Sequence, residues 1–257
     1  MKLGGSIITV KRKKFTPNLK TINRITKEIK KADIHPLIIV HGGGSFGHPF
    51  AKDYEISSGF QKVDQILGFA KTHQAMVTLN SIITGALIKR DIPAVSVQPS
   101  AFITTRRGRV FEFNNDLIQR MIKMNFVPVL YGDSVFDEDQ GFAILSGDQL
   151  VSVLSISLKF QRIVICVDVD GLHVADPNLD PAAKLIRNIS LDKLTHFIGN
   201  IGKSSNIDVT GGMHGKIAEL IPALREGIEV EIVNANKINR LYRALLNKDV
   251  KGTKIEP

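Results

Sequence analysis

The run Pro36-Leu37-Ile38-Ile39-Val40-His41-Gly42-Gly43-Gly44-Ser45-Phe46-Gly47-His48 couples two signals that together specify an α/β chain. Residues 36–40 are continuously apolar, as in a strand buried on both faces of a parallel sheet. The glycines that follow let the backbone approach a ligand. The loop reads as opening a helix, where free amides and the helix dipole favour an anion. Upstream, residues 3–9 read as a strand broken by Gly4-Gly5. Thr16-Pro17 reads as a helix start, with Thr16 at the N-cap and Pro17 at the first helical position. Ile22, Ile25 and Ile29 give that helix one apolar face. Downstream, apolar residues from Val63 to Leu87 mark a long helical region, continuous or broken. Residues 94–97 form the next strand, and 106–113 a small hairpin turning at Arg107-Gly108. Residues 127–130, 150–158 and 162–167 read as strand, helix and buried strand. Residues 216–225, 229–233 and 238–246 read as helix, strand and helix. This β-α-β-α rhythm implies a mainly parallel sheet covered by helices on both faces. A single domain over 1–257 is expected; if it has two lobes, they meet in the loop-rich stretch around 131–147.

Composition narrows the class. Over 257 residues, 43% apolar and 23% charged is ordinary globular usage, which excludes intrinsic disorder. No apolar run approaches the ~20 residues needed to span a bilayer. No secretory signal is expected, because the apolar stretch ending at Val10 is followed at once by Lys11-Arg12-Lys13-Lys14. One cysteine, Cys166, excludes an intramolecular disulfide framework and a Cys-cluster zinc site, and fits a cytoplasmic chain. The net charge of +9 resides in residues 1–31, which hold ten Lys/Arg and one acid, Glu28. Three readings compete: a nucleic-acid surface, a solvated helix face around Lys20, Arg24, Lys27, Lys30 and Lys31, and a positive site for a small anion. Among the basic residues only Phe15 is aromatic, so a single-strand stacking platform is not expected.

Three glycine-rich sites suit phosphate. Lys2-Leu3-Gly4-Gly5-Ser6 sets backbone amides beside a cation. The loop 41–48 is the second. It also satisfies G-x-G-x-x-G through Gly42, Gly44 and Gly47, but the dinucleotide fold wants an acid about 20 residues on at a strand end. Asp64 has that spacing yet lies in a helical pattern. Asp208-Val209-Thr210-Gly211-Gly212-Met213-His214-Gly215-Lys216 is the third, again with a lysine near a helix start. Together they read as machinery for two phosphorylated ligands. Asp148, in Ser146-Gly147-Asp148-Gln149, is either a helix N-cap or an organiser of two lysines. Asp168-Val169-Asp170-Gly171 follows a buried strand, as a tight turn or a ligand site. Metal-ligand spacing among the seven histidines, a hydrolase elbow and a P-loop signature are all missing from the sequence.

The ordered motifs Lys-x-Gly-Gly-Ser, His-Gly-Gly-Gly-Ser-Phe-Gly-His, Ser-Gly-Asp-Gln, Asp-Val-Asp-Gly and Thr-Gly-Gly-Met-x-x-Lys resemble the amino acid kinase superfamily. Within it, the chain is most similar to the archaeal-type isopentenyl phosphate kinase family, from Lys2 to Lys216 and on towards Gly252-Thr253. The resemblance implies a three-layer α/β/α sandwich, usually a homodimer. It implies an N-terminal acceptor lobe over about 1–145 and a C-terminal nucleotide lobe over about 146–257. The implied reaction moves the γ-phosphoryl group of ATP to isopentenyl phosphate in isoprenoid biosynthesis, by an alternative mevalonate route. Mg²⁺ would be carried by ATP, with no protein side chain as metal ligand. Lys2, Leu3, Gly4, Gly5, Ser6, Gly44, Asp168, Gly212 and Lys216 would hold ATP. Gly43, His48 and Gly147 would bind the acceptor phosphate. Lys11, His48, Asp148, Lys2 and Lys216 would be catalytic, with Lys11 stabilising the transition state and Asp148 orienting the two other lysines. The acceptor tail would lie near Phe69, His73, Met76 and Val77. Departures from the family pattern are a very short first strand, Val167 in place of a frequent Thr, and His173 in place of a frequent Tyr. The competing activities are phosphorylation of another phosphate, a phosphonate or a carboxylate. A non-catalytic nucleic-acid-binding protein is the reading from another class.

Overall fold

The computed structural model describes residues 1–174, 182–199 and 212–257. The chain begins with β1 (Lys2–Leu3), α1 (Gly5–Ile8), α2 (Leu19–Ala32), β2 (Ile39–His41), α3 (Gly44–Asp53) and α4 (Asp64–Ile88). Next come β3 (Ala94–Ser96), β4 (Ile103–Arg106), β5 (Arg109–Phe113), α5 (Asp116–Lys123), β6 (Val127–Tyr131), β7 (Asp133–Asp137) and β8 (Gly141–Leu145). The remainder comprises α6 (Gly147–Ser157), β9 (Arg162–Val167), β10 (Asn188–Ser190), α7 (Leu191–Gly199), α8 (Gly212–Arg225), β11 (Glu229–Asn234), α9 (Arg240–Leu245) and β12 (Gly252–Glu256).

Eight strands make the central sheet, in the order β10-β12-β11-β9-β1-β2-β6-β3, and a smaller sheet runs β5-β4-β7-β8. All central pairings are parallel except β11 with β12. Side chains on a strand alternate between faces, so one buried strand feeds two cores. On β9, Val164 and Cys166 join the core beneath α2, α4 and α9. Ile163, Ile165 and Val167 join the opposite core beneath α6 and α8. The result is the expected three-layer α/β/α sandwich with a mainly parallel sheet. The long helix is unbroken over Asp64–Ile88. On α2, Ile22, Ile25 and Ile29 are buried while Lys20, Lys27, Lys30 and Lys31 face solvent, which accounts for much of the basic run as a solvated face; Arg24 departs from that face, donating to Glu28 at 2.6 Å and to the Ala235 carbonyl.

Four expectations need correction. Residues 3–9 are not one strand: the chain leaves β1 at Gly4 and makes one turn of helix. The glycines permit a close approach there, the Gly4 N–H donating to the Cys166 carbonyl at 2.9 Å. Buried Ile7 and Ile8 then pack from a helical turn. The helix start is not Thr16-Pro17. Pro17 sits in a bridge with Thr9, and Asn18 caps α2 by accepting the Thr21 N–H at 3.2 Å. The stretch 131–147 is not loop-rich but the β7–β8 hairpin. Its turn is organised by Asp137, which accepts the Asp139 and Gln140 N–H groups, and Gly141 supplies a φ of 79°. Lastly, α5, β10, α7 and the antiparallel β12 go beyond the expected segments. The motif residues Asp208–Gly211 lie outside the described residues, as does the loop that carries them.

Candidate functional site

Ligands of parallel α/β sheets bind beyond the carboxyl ends of the strands, and this chain places its glycines there. A cavity of about 290 Å³ opens at the ends of β1, β2, β6 and β9 and at the starts of α3, α6 and α8. Its walls include Lys2, Gly4, Gly5, Ser6, Gly43, Gly44, His48, Gly147, Asp148 and Lys216. Two glycine segments more than 35 residues apart therefore form one surface. Thr9 ties them together: its hydroxyl donates to the Gly5 carbonyl at 2.8 Å and accepts the Ser45 N–H at 3.0 Å. Helix α6 begins in the same wall with Ser146 as its N-cap, accepting the Gln149 N–H at 3.0 Å. Asp148 is thus free of capping duty.

Asp148 instead meets two ammonium groups. Lys2 Nζ lies 2.8 Å from Oδ1 and Lys216 Nζ 3.2 Å from Oδ2. Burial would raise the Asp148 pKa, but the two lysines outweigh it and hold the carboxyl below its usual range. Lys2 is almost wholly buried, and burial pulls its pKa down, with Lys216 adding repulsion and Asp148 opposing both. The site so holds two cations around one anion, a net positive charge in a low-dielectric wall. Such a wall suits a ligand with several negative charges. His48 is half-buried, and its pKa is lowered by burial first, then by Lys216 and Lys2. Without an anion nearby its imidazole is neutral at pH 7 and can still donate one N–H. His41 is pushed down to about 4 by burial. Its Nδ1 lies 3.2 Å from the Gly42 carbonyl and its Nε2 3.2 Å from Asn80 Nδ2, which fixes the ring at the base of the glycine loop.

Other expected residues sit elsewhere. Lys11 and Asp168 pair with each other at 2.6 Å near the rim, Lys11 being largely exposed. Burial raises the Asp168 pKa, and hydrogen bonds and charge from Lys11 more than compensate, for a net lowering. Leu3 packs into the core, and its carbonyl accepts the Gly42 N–H at 3.0 Å. Gly212 opens α8. Asp170 is held by Arg240 at 2.6 Å, Lys251 at 2.8 Å and Asn234 at 3.0 Å, so it braces the turn after β9. Of Phe69, His73, Met76 and Val77, Met76 alone lines the cavity. Phe69 instead packs on Phe136 and Phe142.

Sequence reading missed Gly132, Asp133, Thr72 and Ile144, which also line the cavity. Gly132-Asp133 had a legible signal, because it directly follows the strand at 127–131. Gly132 needs its lack of a side chain: a Cβ there would lie 3.0 Å from the Gly147 nitrogen. Thr72 and Met76 are four apart on α4 and so share a face. No group of three or more His, Cys, Asp or Glu side chains able to hold a metal occurs among the described residues.

Comparison with known proteins gives the family and the fold. A model of the amino acid kinase family matches residues 1–234. The chain is 42% identical to an isopentenyl phosphate kinase of Methanothermobacter thermautotrophicus, covering 99% of this chain and 97% of that protein. It is 38% identical to an isopentenyl phosphate kinase of Methanocaldococcus jannaschii, covering 100% and 97%. An isopentenyl phosphate kinase crystal structure superposes with a TM-score of 0.87 at 39% identity, covering 99% of this chain and 98% of the other.

Proposed function

Because the chain belongs to the amino acid kinase family, we propose that its cavity transfers the γ-phosphoryl group of ATP to isopentenyl phosphate, yielding ADP and isopentenyl diphosphate. The observation that carries this reading is the convergence of Lys2, Lys216, Asp148, both glycine loops and His48 on one 290 Å³ cavity. Phosphoryl transfer needs positioning and charge neutralisation more than covalent chemistry. An oxygen of the acceptor phosphate attacks Pγ, and the bond from Pγ to the β-phosphate oxygen breaks. That acceptor oxygen is already ionised, so no protein base is required. Lys2 and Lys216, oriented by Asp148, offset the repulsion between the two anions. His48 donates a hydrogen bond to the acceptor phosphate.

Mg²⁺ enters this reading as part of the nucleotide, where it neutralises charge on the phosphates. Its support is that Asp148 and Asp168 are both already engaged by lysines. A cytoplasmic homodimer serving isoprenoid biosynthesis through an alternative mevalonate route completes the proposal. The free, buried Cys166 supports the compartment, and exposed Ile88, Leu117 and Met124 support self-association. No helix among the described residues is long and apolar enough to cross a membrane. Purified protein should consume ATP faster with isopentenyl phosphate than with fosfomycin, acetylglutamate or UMP. Preference for any of those acceptors overturns the substrate.

Two substitutions test the roles. His48→Ala should lower kcat/KM for isopentenyl phosphate roughly ten- to hundred-fold, the value of one charge-assisted hydrogen bond, with ATP affinity nearly unchanged. His48→Gln keeps a donor and should retain more activity. Tighter acceptor binding by His48→Ala would remove the role. Lys11→Ala should lower kcat by about ten- to hundred-fold with a smaller change in KM, since this exposed cation can exchange its Asp168 partner for the transferring group. Lys13→Ala is the control for a merely solvated cluster, and equal effects at the two positions would favour that cluster.

A further inference from the structure

A second charged pair stands in the acceptor wall, and the phosphoryl-transfer scheme leaves it unused. Asp133, the first residue of β7, lines the cavity, yet its side chain has no solvent exposure. Its oxygens accept the Ser134 N–H at 2.9 Å and the Ser100 N–H at 3.4 Å. His73, on α4, approaches the same carboxylate from behind the wall, with Nδ1 at 2.9 and 3.1 Å from its two oxygens. The polar groups that face His73 are Asp133 from β7 and, from the segment around the Pro99–Ala101 turn, the uncharged Ser100 and Gln98. From β6, the buried Tyr131 also feels Asp133.

Resting on the kinase reading above, we propose that His73 is a positioning residue for the acceptor: as a cation it neutralises and orients the Asp133 carboxylate, and thereby sets affinity for isopentenyl phosphate without lining the cavity itself. A bare carboxylate in this wall would repel the acceptor phosphate and disfavour an apolar tail, because little solvent screens it. The pair also joins α4 to the hairpin whose second strand leads into Ser146, Gly147 and Asp148. The hydrogen bond to Asp133 raises the His73 pKa, with burial opposing it and the Asp133 charge adding to it. The His73 contribution to acceptor affinity is therefore full at low pH and is lost as pH rises through that raised value. His48 shifts the other way, lowered by burial first and then by Lys216 and Lys2.

Acceptor KM, ATP KM and kcat measured from pH 6 to 9 test the proposal in wild type, His73→Gln and the double variant His73→Gln/Asp133→Asn. His73→Gln should raise acceptor KM about tenfold at pH 7, with ATP KM and kcat within about twofold. The double variant removes both charges and should recover most of the loss and flatten the pH profile. A double variant no better than His73→Gln, or equal rises in both KM values, overturns the proposal. So does a wild-type acceptor KM that is flat across the range. An imidazole NMR titration reads the pair without turnover: His73 should titrate above free histidine in wild type and fall in Asp133→Asn. A His73 that titrates at or below free histidine sinks the positioning role even where isopentenyl phosphate proves not to be the acceptor. Failure of wild type to use isopentenyl phosphate, with the NMR result as expected, sinks only the substrate.

Discussion

Asp148→Asn should lower kcat by about 10²–10³-fold, the usual cost of losing one preorganised electrostatic element, while the chain still folds. The substitution keeps the shape and removes the charge between Lys2 and Lys216. Two ammonium groups then share a wall with no counter-ion, and the loss falls hardest on the buried Lys2, whose pKa burial and Lys216 already lower. The cation that should meet the phosphates is weakened at its source. Folding should survive because Ser146, not Asp148, caps α6. A thermal melt beside the kinetics separates the two ideas. A variant that melts far earlier but keeps full activity per folded molecule would make Asp148 a structural residue. The pH dependence follows from the lowered pKa: the stabilisation from ionised Asp148 is present above its unfolded value and is lost only as pH falls through the folded one. Around neutral pH, no loss of the pair from Asp148 protonation should be seen.

Gly44→Ala should reduce kcat/KM for both ATP and acceptor by at least about 100-fold, since misplacing the reacting groups by ~1 Å can cost that much. Gly44 has a φ of +49°, a region unfavourable to residues with a side chain. An added Cβ would also run into the Thr9 hydroxyl and lie 2.6 Å from the Gly5 carbonyl oxygen. The carbonyl is backbone and cannot rotate away, so the two glycine loops must separate. Gly85→Ala is the internal control. It lies in α4 with nothing near the new methyl, and it should be neutral or stabilising by roughly 0.5–1 kcal/mol. Normal activity in Gly44→Ala would show that the contact between the loops does not set the site.

Much of this architecture was legible because local signals were strong. Apolar runs at 36–40 and 162–167 marked buried strands, and β9 spans 162–167 in the structure. The long helix followed from apolar spacing, and the hairpin from the turn at Arg107-Gly108, where Gly108 takes a φ of 73°. Elements were misread where a tertiary partner overrode a local preference. Ile7 and Ile8 look like strand residues, but the approach of Gly4 to β9 and of Gly5 to Gly44 turns the chain into a helix. The β7–β8 hairpin was hidden because its acidic residues mimic a loop, whereas Asp137 is buried with its carboxylate spent on backbone N–H groups.

The division at the site has the same origin. Residue type and order alone announced phosphate chemistry, because glycine loops beside lysines at strand ends have few other uses in combination. Sequence periodicity therefore determined the α/β class and the layering, and the family resemblance implied Lys2, Gly44, His48, Asp148 and Lys216 as one set, which the fold brings to one cavity. The sequence left Asp148 open between cap and organiser. That choice depended on Ser146 taking the cap and on Lys2 and Lys216 arriving from β1 and α8, 146 and 68 positions away. It placed His73 only near the acceptor tail and was blind to Asp133 and to the pairing of the two, which are 60 residues apart. Only packing of α4 against β7 brings them to 2.9 Å, because the pairing of charges is a property of distance and burial, which no single segment encodes.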